Sequence, residues 1–435
     1  MNGFLIAAPG SGSGKTTVTL GLLRALKKRG LAVAPGKAGP DYIDPAFHAA
    51  ASGQICLNFD PWAMRGALLR ANAAHHASGD RLLIVEAMMG LFDGAADGSG
   101  SPADLAALLG LNVVLVVDCA KTSHSVAALV SGFAGFRPDT EVVGVILNRV
   151  GSDRHEVMLR AALDGIAMPV FGVIRSDPSL HLPERHLGLV QAGEHGELEA
   201  FIERASLAVE QGCDLDALLA LSRGTRPDAV DGAVPPLPPI GQRIAVARDI
   251  AFAFSYAHVL RGWQAAGAEL SFFSPLADEV PSAHADAVYL PGGYPELHAG
   301  RIAAAGAFRN GMLDAHVRGA RIFGECGGYM VLGDALIDAE SAVHPMLGLL
   351  PLVTSYAARK RHLGYRRIRP VDGTFFSRPM TAHEFHYASI VSEGAADRLF
   401  VAQDAVGSSL GVVGLRRGNV AGSFMHLIDI QDDAV

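Results

Sequence analysis

Cysteine is scarce in this 435-residue chain: Cys56, Cys119, Cys213 and Cys326 are the only four, and they lie far apart. No C-x-x-C pair occurs, so neither a zinc site nor a disulfide framework is indicated. A reducing cytoplasm is the default expectation. Long apolar runs are absent too: none reaches the roughly 18 residues that a membrane span needs. The N-terminal MNGFLIAAPG has no basic segment before its apolar stretch and runs straight into a glycine loop. It is expected to be a first β-strand and not a signal peptide. Charge is low, 18% of residues with a formal net charge of −8. Neither nucleic acid nor an anionic membrane is therefore expected as a partner. With half of the residues hydrophobic, the shortage of charge also argues against disorder. The length suffices for two or three domains with their own cores.

The clearest break is SRGTRPDAVDGAVPPLPPIGQR, residues 222–243, rich in Pro, Gly and charge and without apolar periodicity. It predicts a first domain over 1–222, a linker over 223–242 and a second domain over 243–435. Before the break, strands are expected at Phe4–Ala8, Ala32–Lys37, Leu82–Ala87, Val113–Asp118, Val142–Asn148 and Val170–Ile174. They are short, rich in Val, Ile and Leu, and apolar on both faces, as in a parallel sheet covered by helices. Thr16–Arg29 reads as a helix with Val18, Leu22 and Leu26 on one face, stopped by Gly30. After the break, strands are expected at Ile244–Ala247, Leu270–Phe273, Val288–Leu290 and Ile322–Phe323. YRRIRPV and FHYASIV read as antiparallel additions. No internal repeat or low-complexity segment is evident.

APGSGSGKTT joins the first strand to the first helix. Gly12, Ser13 and Gly14 let backbone N–H groups point at phosphate oxygens, Lys15 neutralises the terminal phosphates, and the Thr16 hydroxyl suits Mg²⁺, with Thr17 following. The strict pattern G-x-x-x-x-G-K-[ST] needs Gly at position 9, where this chain has Pro9, so the loop is a variant. Carboxylates follow neighbouring strands: Asp41 and Asp44, with Tyr42, in GPDYIDPAFH, then Glu86 and Asp93 in IVEAMMGLFDG. Thr16, Asp41 and Glu86 are candidate metal ligands. Asp41, Tyr42, Asp44 and Asp93 are candidate substrate contacts at the strand ends. Asn148 either reads the nucleotide base or caps a turn. His48, His75 and His76 read as ordinary surface or satisfied histidines.

GECGG, residues 324–328, fits the G-x-nucleophile-x-G elbow, in which a strand turns sharply into a helix and lifts the nucleophile clear. The helix N-terminus is expected to lower the Cys326 pKa. The N–H groups of Gly327 and of Gly293, in YLPGGYPE, are candidate oxyanion donors. His426, in GNVAGSFMHLI, is the candidate base. The basic run RKRHLGYRR, residues 359–367, either grips carboxylates or is a solvated hairpin. His383 and His386 read as alternating on one face of a strand, and no third ligand is evident to make a metal site.

GECGGYM, LPGGYPE and GSFMH resemble class I glutamine amidotransferase domains. With SGSGKTTVTLGLLRAL, KAGPDYIDPAFH, EAMMGLFDG, LPERHLGL, LPGGYPEL, HLGYR and HEFHYA, the whole chain resembles the a,c-diamide synthases of cobalamin biosynthesis. That resemblance implies an α/β protein with two parts. The first is a P-loop domain like dethiobiotin synthetase, with a parallel sheet; the second is a class I glutaminase domain. It implies amidation of the a and c carboxylates of a corrin at the expense of ATP and glutamine, with Mg²⁺. The corrin is hydrogenobyrinic or cobyrinic acid, with a lean to the former. LPERHLGL and HEFHY are open to a role in substrate binding or at a domain interface. Many class I glutaminases carry Glu two residues after the catalytic His; here Ile428 stands there, and a backbone carbonyl is the expected orienter of His426. Ammonia made in one domain would need a protected route to the other. Two rivals remain: a P-loop ATPase of partitioning type with a degenerate glutaminase domain, and another amidotransferase such as cobyric acid synthase. The implied partners are small molecules (corrin polycarboxylate, glutamine, ATP), with a homodimer left open.

Overall fold

The computed structural model describes residues 2–181, 184–185, 188–189, 191–194, 196–222 and 234–431. LPERHLGL and the linker residues 223–233 therefore fall partly or wholly outside the described residues. The chain divides into two compact units, Met1–Trp62 with Gly66–Val234, and Ala63–Arg65 with Pro235–Val435.

The first unit is built on seven strands: β1 Gly3–Ala7, β2 Val33–Ala38, β3 Leu57–Phe59, β4 Leu82–Glu86, β5 Asn112–Asp118, β6 Val142–Val150 and β7 Val170–Arg175. Their order is β3-β2-β4-β1-β5-β6-β7, and every pairing is parallel. The central strands β1, β2 and β4 are buried at every position, which is why they read as apolar runs interrupted only near their ends by Lys37 and Glu86. β3 was not anticipated: Leu-Asn-Phe is too short for its pattern to show. Helix α1, Lys15–Lys28, buries Val18, Leu22 and Leu26, as the spacing required. Gly30 beyond it has φ 78°, a left-handed stop. Because all seven strands run the same way, the loops after β1, β2, β4, β5 and β6 gather at one edge.

The second unit centres on a ten-stranded mixed sheet. In spatial order its strands are Glu269–Phe273, Arg243–Ala247, Ala287–Leu290, Arg321–Glu325, Val420–Ser423, Ser409–Arg417, Asp397–Asp404, His362–Pro370, Met380–His386 and Met425–Ile430. The first five run parallel and the rest are joined antiparallel. FHYASIV is not one strand: the chain leaves the sheet after His386 and re-forms a strand at Ser389–Glu393, in a separate four-stranded sheet. Among the described residues, no helix is long and apolar enough to cross a membrane.

Candidate functional site

At the carboxyl edge of the first unit's sheet lies a cavity of about 340 Å³, lined by Gly12, Gly14, Lys15, Thr16, Thr17, Lys37, Asp41, Asp44, Glu86 and Arg149, among others. Gly14 has φ 86°, and a Cβ there would stand 2.2 Å from Asn148 Nδ2. Only glycine permits that approach. Asn148 Nδ2 donates to Ser13 O at 2.9 Å, so this side chain straps the loop from beneath. Ser13 Oγ donates to Gly10 O at 3.0 Å, and Thr17 Oγ1 to Leu180 O at 3.3 Å.

Lys15 Nζ donates to Met89 O at 2.6 Å and to Gly10 O at 3.2 Å. Burial lowers its pKa to about 8, against the pull of Glu86. The sign follows: below pH 8 the ammonium is charged and ready for an anion, and above it ATP binding must take up a proton. Calorimetric ATP titrations should show Kd rising with pH above 8, by up to about tenfold per unit. The proton uptake should depend on the ionisation enthalpy of the buffer.

Thr16 Oγ1 donates to Glu86 Oε1 at 2.7 Å. Glu86 is almost wholly buried and also accepts from Lys37 Nζ at 2.9 Å, and its Oε2 lies 2.6 Å from His48 Nε2. Burial alone would raise Glu86, but Lys37 and His48 outweigh it and hold the carboxyl well below its ordinary range. Lys37 Nζ lies 2.5 Å from Asp44 and 3.9 Å from Asp41. Burial depresses its charge, and the three carboxylates more than restore it. Asp41 Oδ1 accepts from the N–H groups of Ile43, at 2.8 Å, and Asp44, at 3.0 Å, turning the chain into the helix Asp44–Ser52. Tyr42 and Asp93 are not among the lining residues; Asp93 is exposed and accepts from Gly90 N at 2.8 Å, bracing the loop after Glu86.

Thr16, Asp41 and Glu86 line one cavity and offer oxygen donors, the hard set that suits Mg²⁺, with both Glu86 oxygens already engaged by Thr16, Lys37 and His48. Lys37 was not singled out from the sequence. The available signal was a lysine near the carboxyl end of an otherwise uncharged strand. Lys37→Met would leave Asp44 and Glu86 buried without their cation. It should destabilise the protein by about 3–5 kcal/mol in urea titrations.

The second unit carries the elbow. Cys326 follows the strand Arg321–Glu325 and precedes the helix Gly327–Leu332, with φ 47° and ψ −104°. That backbone is strained for any side chain and marks a functional turn. Its N–H donates to Ser423 O at 2.8 Å, and Gly328 N to Pro291 O at 3.1 Å, which pins the turn on both sides. A Cβ on Gly292 would fall 2.3 Å from His426 Cε1, 3.1 Å from its Nε2 and 3.3 Å from Cys326 Cβ. Thiol and imidazole are thus neighbours across one glycine. A Cβ on Gly327 would meet Gly293 N at 3.0 Å, so these two glycine backbones converge beside the sulfur. Gly292→Ala should cut glutamine-dependent turnover by about 10²-fold or more by pushing the imidazole aside. Steady-state assays with glutamine and with ammonium should show only the former affected.

The expected lowering of the thiol pKa does not occur. Burial pushes Cys326 up, and Glu296, Glu325 and Glu384 add to it, with the Gly327 N–H opposing. The following helix has only six residues, too little to outweigh desolvation. His426 lies in the strand Met425–Ile430 and is fully buried. Burial drives its pKa well below the ordinary value, helped by His383 and His386. Thiol and imidazole therefore rest as a neutral pair. A carboxylate stands near the imidazole: Glu325 Oε2 lies 3.8 Å from His426 Nδ1.

His383 and His386 do not share a face, since residues three apart on a strand point opposite ways. His383 packs with Tyr365 and Phe385. His386 stacks on Phe424 and His362. A different group forms, without His383: His362, Glu384 and His386 bring ligand atoms within 4.8 Å of one another. Glu384 is already engaged by Arg366 at 2.7 Å and by His386 at 3.0 Å, which makes the group an ion-paired network. Arg366, part of the basic run, is thereby tied into the fold. These residues border a cavity of about 350 Å³ with Tyr329, Lys360, Arg398, Phe424 and Met425.

Comparison with known proteins agrees with both halves. Residues 4–190 match the family described as CobQ/CobB/MinD/ParA nucleotide binding domain, and residues 243–434 match the CobB/CobQ-like glutamine amidotransferase domain. A hydrogenobyrinate a,c-diamide synthase of Sinorhizobium sp is 71% identical over 99% of both chains. The synthase of the same name from Rhizobium meliloti (strain 1021) is 68% identical over 99% of this chain and 100% of its own. A solved glutamine amidotransferase structure is 15% identical, with a TM-score of 0.29, over 42% of this chain and 89% of its own. With an ATP-type loop in one unit, an elbow thiol beside a histidine in the other, and these relatives along the whole length, the chain belongs to the hydrogenobyrinate a,c-diamide synthase family.

Proposed function

We propose that this enzyme converts the a and c carboxylates of hydrogenobyrinic acid to amides, using ATP and glutamine, in cobalamin biosynthesis. The observation that carries the reading is the presence in one chain of two separate reaction centres, a phosphate cradle and a thiol elbow.

A carboxylate is a poor electrophile and hydroxide a poor leaving group, so the acid must first be activated. A corrin carboxylate oxygen attacks the ATP γ-phosphorus, ADP leaves, and an acyl phosphate forms. The Gly12–Thr17 backbone holds the phosphates and Lys15 meets the charge that moves towards ADP, while Lys37 holds Asp44 and Glu86 in place at the same cavity. Thr16, Asp41 and Glu86 would hold Mg²⁺, which neutralises phosphate charge when bound. Asp41, Tyr42, Asp44 and Asp93 are proposed to face the corrin side of this edge, and Asn148 to keep the loop in shape beneath the nucleotide.

In the glutaminase unit, His426 takes the Cys326 proton as sulfur attacks the glutamine amide carbon. The Gly293 and Gly327 N–H groups stabilise the oxyanion. The proton passes to nitrogen, ammonia leaves, and water cleaves the thioester to glutamate and free thiol. Ammonia attacks the acyl phosphate and phosphate departs; the cycle runs once per carboxylate. The resting neutral pair fits this order, because proton transfer need occur only when substrate is bound.

The test supplies hydrogenobyrinic and cobyrinic acids in parallel with ATP, Mg²⁺ and glutamine, and counts carboxyl-to-amide conversions by mass spectrometry. Two conversions on the cobalt-free corrin are expected. A product with other carboxylates amidated would contradict the assignment.

A further inference from the structure

Position 428, where many class I glutaminases place the acid that orients the histidine, holds isoleucine. The structure supplies an acid from elsewhere. Glu325 precedes the nucleophile directly, is 3% exposed, and brings Oε2 to 3.8 Å from His426 Nδ1. The same carboxylate accepts from Tyr289 Oη at 2.7 Å on Oε2 and from Leu427 N at 3.1 Å on Oε1. It therefore grips the backbone next to the histidine and stands at the ring's far nitrogen. Its own position is fixed from a third strand, Ala287–Leu290. We propose that Glu325 is the positioning residue for His426, holding the ring towards Cys326 and opposing the imidazolium charge during glutamine hydrolysis. The assignment rests on the reading of Cys326 and His426 as nucleophile and base.

As the S–C bond forms, the thiol proton moves to His426 Nε2, and the imidazolium keeps its Nδ1–H facing Glu325. When the C–N bond breaks, the Nε2 proton leaves with ammonia. Water then attacks the thioester, gives a proton to Nε2, and that proton returns to sulfur. Glu325 must be ionised to add to the pull of Glu384, whose carboxylate already favours the protonated imidazole. Burial raises its pKa to about 8, with Tyr289 and the Leu427 N–H opposing. The sign follows: the carboxyl is protonated below about 8 and ionised above. Glutamine-dependent kcat should therefore climb through that region. The other charged or titratable groups facing the pair are Cys326 itself, Glu296, and His383, Glu384 and His386 on the strand Met380–His386.

The experiment compares wild type, Glu325→Gln and Tyr289→Phe over pH 6–10, with glutamine and separately with ammonium as nitrogen source. Glu325→Gln keeps the shape of the group and can still accept from Leu427. Its glutamine-dependent kcat should fall by about 10²-fold with KM for glutamine little changed. Its rise through the region near pH 8 should disappear, and ammonium-dependent amidation should hold. Tyr289→Phe removes a hydrogen bond to the ionised form, so the rise should move to higher pH. Wild-type kcat in Glu325→Gln, or a rise that stays put in both variants, overturns the proposal. If Glu325→Gln does not fold, the shift in Tyr289→Phe decides alone. A Cys326→Ala control separates the two levels. If it retains glutamine-dependent amidation, the nucleophile reading fails; if it loses it while Glu325→Gln behaves as wild type, only the role of Glu325 falls.

Discussion

Cys326→Ala should lose glutamine-dependent amidation by a factor of about 10⁴ or more, because no other group in the elbow can form the thioester. Amidation from added ammonium should persist at close to the wild-type rate, since the sulfur acts only in releasing nitrogen. The substitution keeps a Cβ at the strained turn, where φ is 47°, so the backbone has no new reason to relax. The hydrogen bonds that pin the turn, from Cys326 N to Ser423 O and from Gly328 N to Pro291 O, involve no side chain. Parallel assays with the two nitrogen sources measure the effect. Loss of both activities would contradict a separable glutaminase.

Lys15→Ala should have the complementary effect. Amidation from either source should fall by about 10³-fold or more, since the charge on the transferring phosphoryl group loses its main protein cation. Glutamine hydrolysis should remain measurable. The variant should fold, because α1 is anchored by Val18, Leu20, Leu22 and Leu26, all buried, and Lys15 contributes only contacts to Met89 O and Gly10 O. ATP binding by calorimetry and corrin amides by chromatography report the outcome. Amidation retained at wild-type level would remove the P-loop from the mechanism.

Much of the first unit was legible because a parallel sheet buried on both faces writes itself as short Val, Ile and Leu runs. Six of its seven strands stand within a residue or two of where those runs lie. β3 escaped because three residues carry no period. In the second unit the parallel strands were legible for the same reason. Asp397–Asp404 and Ser409–Arg417 were not anticipated: they join the sheet antiparallel and leave part of their length exposed, so their apolar positions are diluted.

At the sites, the loop and the elbow were legible because their chemistry demands glycine at fixed spacing. What the sequence could not reveal was cross-strand register. His362 faces His386 and Tyr365 faces His383 only because two antiparallel strands meet in that alignment. Lys37 and Glu325 were passed over for a related reason. Each looks like a stray charge until the fold buries it among its partners. The direction of the thiol pKa was not legible because helix polarity is visible in a sequence, whereas desolvation, which pushes Cys326 up, is not.

The proposed reaction requires that the acid be energised by phosphorylation before it meets ammonia. Hydrogenobyrinic acid carrying ¹⁸O in its carboxylates, turned over with ATP and glutamine, tests this through mass spectrometry of the released phosphate. One ¹⁸O should appear in inorganic phosphate for each amide formed. Phosphate free of label, with ¹⁸O found instead in AMP or in water, would contradict the acyl phosphate and the role assigned to the cradle.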